Sequence, residues 1–394
     1  MDERAKLFFE LEHGVQTVVE LCRKYEISRK TLYKWLARYQ AGGVSGLVDR
    51  SRAPHHRRHA ISEEMVELFV AERKRRPSWG PKKLLHVLSI RHPEISMPAR
   101  STVAALLAKR GLVAARRRPK RAPTYEGPFS TCQTPNALWC ADFKGGFRLR
   151  DRQICNPFTL TDACSRYLLR CEGMTRIDES AVRPAFDSAF CEFGLPDAIR
   201  TDNGPPFASR TVGGLSRLSI WWVKLGIRPE RIEPGKPTQN GRHERMHRTL
   251  KQETASPPER NMPAQRRVFD AFRTTFNEER PHEALGQDVP AQHYRPSLRQ
   301  YPTKLREPDY GDGVEIRRVR RRGYIKWNGT LVFLSETLIN EPVGIRQIAD
   351  RRWDVSYGPI TLGHLDEHSY FHRPGRGRKP WGRGNNELSP MSVD

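Results

Sequence analysis

The chain has 394 residues, 37% of them hydrophobic and 29% charged, a length and composition that suit about two to four globular domains joined by polar linkers. It has no long apolar run, no apolar leader core and no C-x-x-C pair among its seven cysteines, so we expect no transmembrane helix, no signal peptide and reduced thiols in a cytoplasmic protein. The net charge of +24 is concentrated in residues 1–123, where 27 Lys and Arg face 12 Asp and Glu, and this predicts a polyanionic partner.

Residues 1–58 are predicted to form a helix-turn-helix DNA-binding domain. Short helices are expected over residues 5–12, 15–25 and 29–40, with Ser28 capping the third. Apolar residues of the third helix share one face, which predicts a core. The side chains predicted to bind DNA lie on its other face: Arg29, Lys30, Tyr33 and Lys34. Helical hairpins that bind no DNA have the same pattern, so that alternative stays open here.

Residues 59–115 repeat the helical pattern and are predicted to form a second helix-turn-helix domain. Helices are expected over residues 63–75, 82–90 and 98–109. The first turn of the last helix offers three side chains to DNA: Arg100, Ser101 and Thr102. A basic linker then spans residues 116–133. Its cations are predicted to follow a DNA backbone: Arg116, Arg117, Arg118, Lys120 and Arg121.

Two aspartates and one glutamate stand in contexts that predict metal ligands. Asp142 and Asp202 each end a short strand-like run and are followed by turn residues. Glu244 is predicted to lie on a helix, on one face with Arg248 and Lys251. Three carboxylates are hard oxygen ligands that can hold two Mg²⁺ at a phosphodiester. Taken singly, each Asp could cap a turn and Glu244 could form a surface ion pair.

The segments around these acids resemble the DDE-type integrase core of bacterial insertion-sequence transposases, which is related to retroviral integrase. The similarity lies in Trp-Cys-Ala-Asp142-Phe-Lys-Gly, in Thr-Asp202-Asn-Gly, in Pro-Gly-Lys-Pro-Thr-Gln-Asn-Gly-Arg-His-Glu244-Arg, and in residues 277–286. The resemblance implies an α/β ribonuclease-H-like catalytic core over residues 134–300. It also implies that the three acids are the catalytic residues and hold two Mg²⁺, which Mn²⁺ can replace.

One spacing departs from the commonest pattern of that family. Asp202 and Glu244 are 42 positions apart, and we place the extra length at residues 210–222. Glu233 is a rival third ligand at a shorter spacing. We prefer Glu244 because it lies inside the matching motif and on the predicted helix, whereas Glu233 precedes a proline in a loop.

The pattern changes after the core. Residues 310–371 contain short alternating runs and the turn pair Asn328-Gly329, a strong hairpin signal, and are predicted to form a small β-barrel. Residues 372–394 are rich in Gly, Arg and Pro and are predicted to be a disordered tail.

These features together predict a DNA transposase. It would bind the terminal inverted repeats of a mobile element, cut the element's ends and transfer them into target DNA with Mg²⁺. Gln239 and Asn240 are assigned to orienting the substrate, and Arg248 and Lys251 to holding its phosphates. The predicted partners are double-stranded DNA and further copies of the chain, as a dimer or tetramer on DNA. No membrane partner is expected, and the expected location is the cytoplasm, at the nucleoid.

Two other functions remain open. A DNA-binding regulator with an inactive core would keep the helix-turn-helix domains without using the three acids. A ribonuclease-H-like nuclease would share the core but would not need two sequence-reading domains. A viral integrase fits the chemistry, but the His-His-Cys-Cys zinc module of those enzymes is absent from the sequence.

Overall fold

The computed structural model describes the chain in six stretches that fall into two compact units, Met1–Glu63 and Glu64–Asp394. The stretches are residues 2–14, 16–49, 61–113, 132–209, 211–232 and 241–374. The predicted basic linker and disordered tail lie almost entirely outside them, and the predicted domain boundaries stay predictions. Each helix within these stretches is too short or too polar to cross a bilayer.

The first unit consists of three helices, α1 (Asp2–Glu12), α2 (Val18–Lys24) and α3 (Arg29–Gly42). Ser28 caps α3 as predicted, since its hydroxyl accepts a backbone N–H of the first turn at 3.1 Å. α2 begins later than expected because Thr17 caps it, in a capping box with the third residue of the helix. Local capping chemistry therefore fixes where both of these helices start.

α3 divides into a buried face and an exposed face, as its pattern predicts. Leu32 is fully buried, and Trp35 and Tyr39 pack partly buried against the same core. The other core residues of this unit are Leu7, Phe8, Leu21, Cys22 and Leu47. The four side chains predicted to bind DNA are all exposed on the opposite face: Arg29, Lys30, Tyr33 and Lys34.

A second group of three helices opens the larger unit. It comprises α4 (Glu63–Arg75), α5 (Pro81–Arg91) and α6 (Arg100–Lys109). Pro81 occupies the first position of α5, where its missing N–H costs no hydrogen bond. Their shared core contains Phe69, Trp79, Leu84, Leu88, Val103 and Leu107. The sequence therefore predicted these three helices to within a few residues at each end.

The central sheet of the larger unit has six strands in the order β2-β3-β1-β5-β6, with β4 paired to β3. The strands are β1 (Trp139–Phe143), β2 (Phe147–Arg148), β3 (Ile154–Asp162), β4 (Leu168–Met174), β5 (Ala198–Thr201) and β6 (Arg228–Arg231). β3 is antiparallel to β1 and β4, whereas β5 is parallel to β1 and β6. This mixed sheet is the one expected for a ribonuclease-H-like core.

Helices cover both faces of this sheet. They are α7 (Glu179–Phe193), α8 (Arg217–Lys224), α9 (Gly241–Thr254), α10 (Met262–Thr274) and the short α11 (Pro290–His293). Along β3, Phe158 and Leu160 join the core formed with α7 and α8, whereas Cys155 joins the core formed with α9 and α10. Side chains alternate between faces along a strand, so odd-numbered β3 residues point towards α9.

The C-terminal region forms an open sheet of five strands, β13-β12-β11-β10-β7, and a separate hairpin, β8-β9. The strands are β7 (Glu315–Arg318), β8 (Tyr324–Trp327), β9 (Thr330–Phe333), β10 (Pro342–Ala349), β11 (Arg352–Tyr357), β12 (Ile360–Leu365) and β13 (Phe371–His372). The hairpin turns at Asn328-Gly329 as predicted. The predicted barrel is not confirmed, because within the described strands β7 and β13 form the two edges of an open sheet.

α8 connects this C-terminal sheet to the central sheet. Its Trp221 and Trp222 pack into the central core, whereas Ile220 and Val223 pack into the C-terminal core. Three of these four residues lie in residues 210–222, where the sequence predicts the extra spacing between Asp202 and Glu244. α8 is buried on nearly all sides, which explains its almost continuous apolar run.

The helices α4 to α6 contact the segment of residues 277–286 through charged groups. Arg76 forms an ion pair with Glu279, and Lys82 Nζ lies 2.6 Å from a carboxylate oxygen of Glu283. Residues 277–286, which resemble the family, therefore join the second helical group to the core through these ion pairs.

Candidate active site

Asp142 and Asp202 belong to neighbouring parallel strands or their ends. Trp139 pairs with Ile199, and Cys140 with Arg200, in the ladder between β1 and β5. Asp142 in β1 and Asp202 just after β5 each lie two residues beyond the last of these pairs. Trp139 packs into the core shared with α7 and α8, so alternation directs Asp142 to the α9 face. The sequence predicted two strand ends, and the sheet order makes them neighbours.

Asp202 lies in a partly buried environment. Burial raises the pKa of its carboxyl, and a hydrogen bond from the N–H of Gly204 at 3.2 Å opposes that rise. A partly desolvated carboxylate with one backbone donor gains stability from a nearby cation. The bond to the N–H two residues further on is the contact that the turn-cap alternative predicts.

Two histidines of α9 face Asp142. Thr159 is the β3 residue paired with Asp142, and its Oγ1 lies 2.7 Å from Nε2 of both His243 and His247. The same hydroxyl donates to the backbone carbonyl of Asp142 at 3.2 Å. Nδ1 of His247 lies 3.9 Å from Oδ2 of Asp142. The two imidazoles stand nearly perpendicular, with centroids 4.6 Å apart.

Both imidazoles are neutral at pH 7. Burial lowers the pKa of His243 to about 4. Burial, with smaller effects of His243 and Lys144, lowers the pKa of His247 to about 2. Neutral imidazoles are metal ligands, whereas imidazolium is not.

This donor set fits a divalent metal ion. One ligand atom each from Asp142, His243 and His247 lies within 4.8 Å of the other two. Asp202 adds a second carboxylate at the neighbouring strand end. Carboxylate oxygens suit Mg²⁺ and Mn²⁺, and imidazole nitrogens suit the later transition metals.

Glu244 lies in the first turn of α9 and is exposed. It is the residue after His243 and is not part of the close group that the two histidines form with Asp142. Arg248 and Lys251 are exposed on the same helix. Glu233, the rival third ligand, lies outside the described residues.

The remaining predicted DNA-binding residues divide into two sets. Arg100 and Ser101 are exposed and Thr102 is half-buried in the first turn of α6, as expected. Several others lie outside the described residues: Arg116, Arg117, Arg118, Lys120, Arg121, Gln239 and Asn240. Their assignment to DNA stays a prediction.

Sequence reasoning missed His243, His247 and Thr159. A signal for the histidines was present, because residues 243–247 read His-Glu-Arg-Met-His, which has the H-E-x-x-H spacing that puts two histidines on one helix face. The motif alone does not say what the histidines face, which depends on packing against β3.

Comparison with known families agrees with the fold. Residues 133–237 and residues 225–290 match integrase core domain families. Residues 3–55 match a helix-turn-helix domain family, and residues 31–107 match a homeodomain-like domain family.

Two similar proteins come from bacterial insertion elements. An uncharacterized 39.2 kDa protein of insertion element IS476 from Xanthomonas euvesicatoria is 30% identical over 59% of this chain and 64% of its own length. An uncharacterized 31.7 kDa protein of insertion element IS407 from Burkholderia multivorans is 29% identical over 61% of this chain and 82% of its own. The resemblance to insertion-sequence transposases with a retroviral-integrase-like core is confirmed. The match spans less than two thirds of the first relative.

Solved integrase structures show a distant likeness. The magnesium complex of the HTLV-2 integrase catalytic core is 17% identical, covers 41% of this chain and 99% of its own, and has a TM-score of 0.33. A simian T-cell lymphotropic virus intasome chain is 17% identical, covers 75% of this chain and 97% of its own, and has a TM-score of 0.36.

Proposed function

We propose that the protein is a DDE-type DNA transposase. The observation that supports this proposal is that Asp142 lies in β1 and Asp202 follows the adjacent parallel strand β5. Glu244 on α9 is the third acid of the proposed set. Two helix-turn-helix domains and the net charge of +24 support DNA as the substrate.

The proposed chemistry has two phosphoryl transfers. In the first, water attacks the phosphodiester at the element's end, the P–O3′ bond breaks and the element keeps a free 3′-hydroxyl. In the second, that hydroxyl attacks a phosphodiester of target DNA, and the target strand's own 3′-oxygen leaves. Both steps depend on holding the attacking oxygen in line with the bond that breaks and on neutralising the charge of the phosphate, rather than on a covalent enzyme intermediate.

Asp142, Asp202 and Glu244 are the residues that would hold two divalent ions, Mg²⁺ or Mn²⁺. Such ions neutralise the charge that develops on the attacking and leaving oxygens of the phosphodiester. Arg248 and Lys251, exposed on α9, would hold the neighbouring phosphates. Gln239 and Asn240 would orient the substrate strand.

DNA ends are proposed to be bound by the helical domains. α3 and the first turn of α6 would read the terminal inverted repeats, with the linker cations along the backbone. Joining two element ends to one target needs two active sites, so we propose a dimer or larger assembly on DNA.

A cleavage assay distinguishes this function from its alternatives. Wild type and Asp142→Asn would be incubated with Mg²⁺ and three labelled substrates: the element's inverted-repeat end, an unrelated duplex and an RNA–DNA hybrid. The proposal expects wild type to nick the element end alone and the variant to bind it without cutting. Cleavage of the hybrid alone favours the nuclease, and binding without cleavage by both proteins favours the regulator.

A further inference from the structure

Thr159 contacts both buried histidines through one hydroxyl. That hydroxyl carries one hydrogen, and it can be directed to the backbone oxygen of Asp142, an acceptor 3.2 Å away. With the hydrogen placed there, His243 and His247, each with Nε2 at 2.7 Å, both donate from Nε2 to the Thr159 oxygen.

This arrangement leaves a lone pair on Nδ1 of His247. A neutral imidazole carries one hydrogen, so donation from Nε2 makes Nδ1 an acceptor. Nδ1 faces Oδ2 of Asp142 at 3.9 Å. Two acceptors oppose each other at a distance too long for a hydrogen bond, in a site where His247 is 5% exposed.

We propose that Asp142 and His247 hold one divalent ion between Oδ2 and Nδ1, and that this position selects a transition-metal ion such as Mn²⁺ over Mg²⁺. A cation between the two atoms would be bound by the carboxylate oxygen of Asp142 and by the imidazole lone pair of His247. Mg²⁺ prefers oxygen ligands throughout, whereas a nitrogen ligand favours transition-metal ions. One possible ligand atom of His243 lies within 4.8 Å of one possible ligand atom each of Asp142 and His247, but His243 is not a ligand in the proposed pair.

Thr159 acts as a positioning residue in this proposal. Metal-binding histidines usually donate their other ring N–H to an oxygen, which fixes the tautomer and the ring orientation. Thr159 supplies that oxygen to His247 from the strand beside Asp142. The spacing of one helical turn between the two histidines lets a single hydroxyl orient both rings.

The proposal rests on the proposed function only in placing a metal ion at Asp142. It adds His247 as a nitrogen ligand. This ligand favours Mn²⁺ over Mg²⁺, a preference that three carboxylates alone would not give. Metal binding by the DNA-free full-length chain tests it without any activity assay.

The probe is Mn²⁺, whose electron spin reports nitrogen bound to it. Pulsed electron paramagnetic resonance should show ¹⁴N coupling in wild type and none in His247→Leu. Calorimetry should show that the variant loses about tenfold in Mn²⁺ affinity while its Mg²⁺ affinity is unchanged. Thr161→Val is the matched control, since Thr161 is on the same strand and lies near His243 but not in the proposed pair.

Three results overturn the inference. They are absence of ¹⁴N coupling in wild type, persistence of that coupling in His247→Leu, and an unchanged Mn²⁺-to-Mg²⁺ preference in the variant. If Asp142→Asn abolishes Mn²⁺ binding while His247→Leu leaves it intact, the inference fails and the proposed function stands. If Asp142→Asn leaves Mn²⁺ binding unchanged, both fail. Should His247→Leu not fold, the wild-type spectrum alone still decides.

Discussion

Asp162 and Asp202 are both carboxylates at strand ends, but their partners differ. Asp162 is fully buried and accepts hydrogen bonds from the N–H of Asn136 and from the N–H and hydroxyl of Ser165, all at 2.6–2.7 Å. Among the described residues, Asp202 accepts one backbone hydrogen bond, from the N–H of Gly204. A carboxylate whose hydrogen bonds are satisfied by the chain is structural, whereas one left short of donors is available to a ligand.

Substitution separates these two roles. Asp162→Ala leaves three donors unsatisfied and should lower the free energy of unfolding by about 1–3 kcal/mol. Asp202→Asn removes a partly buried charge and should leave thermal stability unchanged or higher in metal-free buffer, while cleavage falls by more than about a hundredfold. Chemical denaturation and single-turnover cleavage measure the two effects. Equal destabilisation by both variants would contradict the assignment.

The third acid can be tested by a matched pair. Glu244→Gln keeps the size of an exposed side chain, so it should preserve folding and DNA binding while abolishing end cleavage. Glu233→Gln should cleave like wild type. Loss of cleavage in Glu233→Gln with retention in Glu244→Gln would transfer the role to Glu233.

Candidate site residues could be proposed from the sequence only where a local motif marks them. Asp142 and Asp202 could be singled out because each ends a strand-like run before a turn. His243 and His247 could not, because what they contact depends on a helix packing against β3. Their contact with Thr159 joins residues more than eighty positions apart.

At the scale of elements, helices were predicted better than sheets. Ser28 and Pro81 mark helix starts through local chemistry that is legible in the sequence. Closure of the C-terminal strands into a barrel depends instead on which edges pair. Within the described strands, the edge strands β7 and β13 do not pair with each other, so the sheet is not a closed barrel. The alternating sequence pattern and the Asn328-Gly329 turn predicted the strands, but they could not predict whether the sheet closes.

The stability of the protein should depend on pH through the contact of α5 with residues 277–286. Lys83 donates to the carbonyl of Pro281, and burial, with a smaller effect of Arg280, lowers its pKa to about 7. Between pH 7 and 10 the unfolded chain keeps this proton and the folded chain does not, so stability should rise with pH across that window. Thermal unfolding of Lys83→Met should show a smaller rise than wild type.

Lys82→Met provides the control for that measurement. Lys82 is exposed and pairs at the surface with Glu283, a contact worth little. Its removal should leave the slope of stability against pH unchanged. A slope altered equally by both substitutions would point to general surface charge rather than to Lys83.

The exposed face of α3 should contribute to DNA affinity without contributing to stability. Arg29→Ala and Lys34→Ala should each weaken binding to the element end and reduce the slope of log affinity against log salt by about one. Lys24→Ala, which removes an exposed cation paired with Glu10, should change neither. Filter binding across a salt series measures this, and equal losses in all three variants would exclude α3 as the reading helix.

In the whole molecule, the separate parts would serve one reaction if the protein is the proposed transposase. The helical domains bring exposed cations, the central sheet has Asp142 in β1 and Asp202 after the adjacent β5, and α8 joins that sheet to the C-terminal strands. The order of these parts was predictable from composition and motifs. The contacts between them, such as Ile220 and Val223 with the C-terminal core, were not, because a buried apolar helix does not reveal its partner.

A transposase joins DNA strands, whereas a nuclease only cuts them. The most direct test incubates wild type with a plasmid target and Mg²⁺ or Mn²⁺. The donor is a labelled, pre-cut element end with either a 3′-hydroxyl or a 3′-deoxy terminus. We predict covalent joining of the 3′-hydroxyl end to the plasmid, no joining of the 3′-deoxy end, and no joining by Asp142→Asn. If wild type nicks the plasmid equally with both ends and joins neither, the protein is a nuclease and not a transposase.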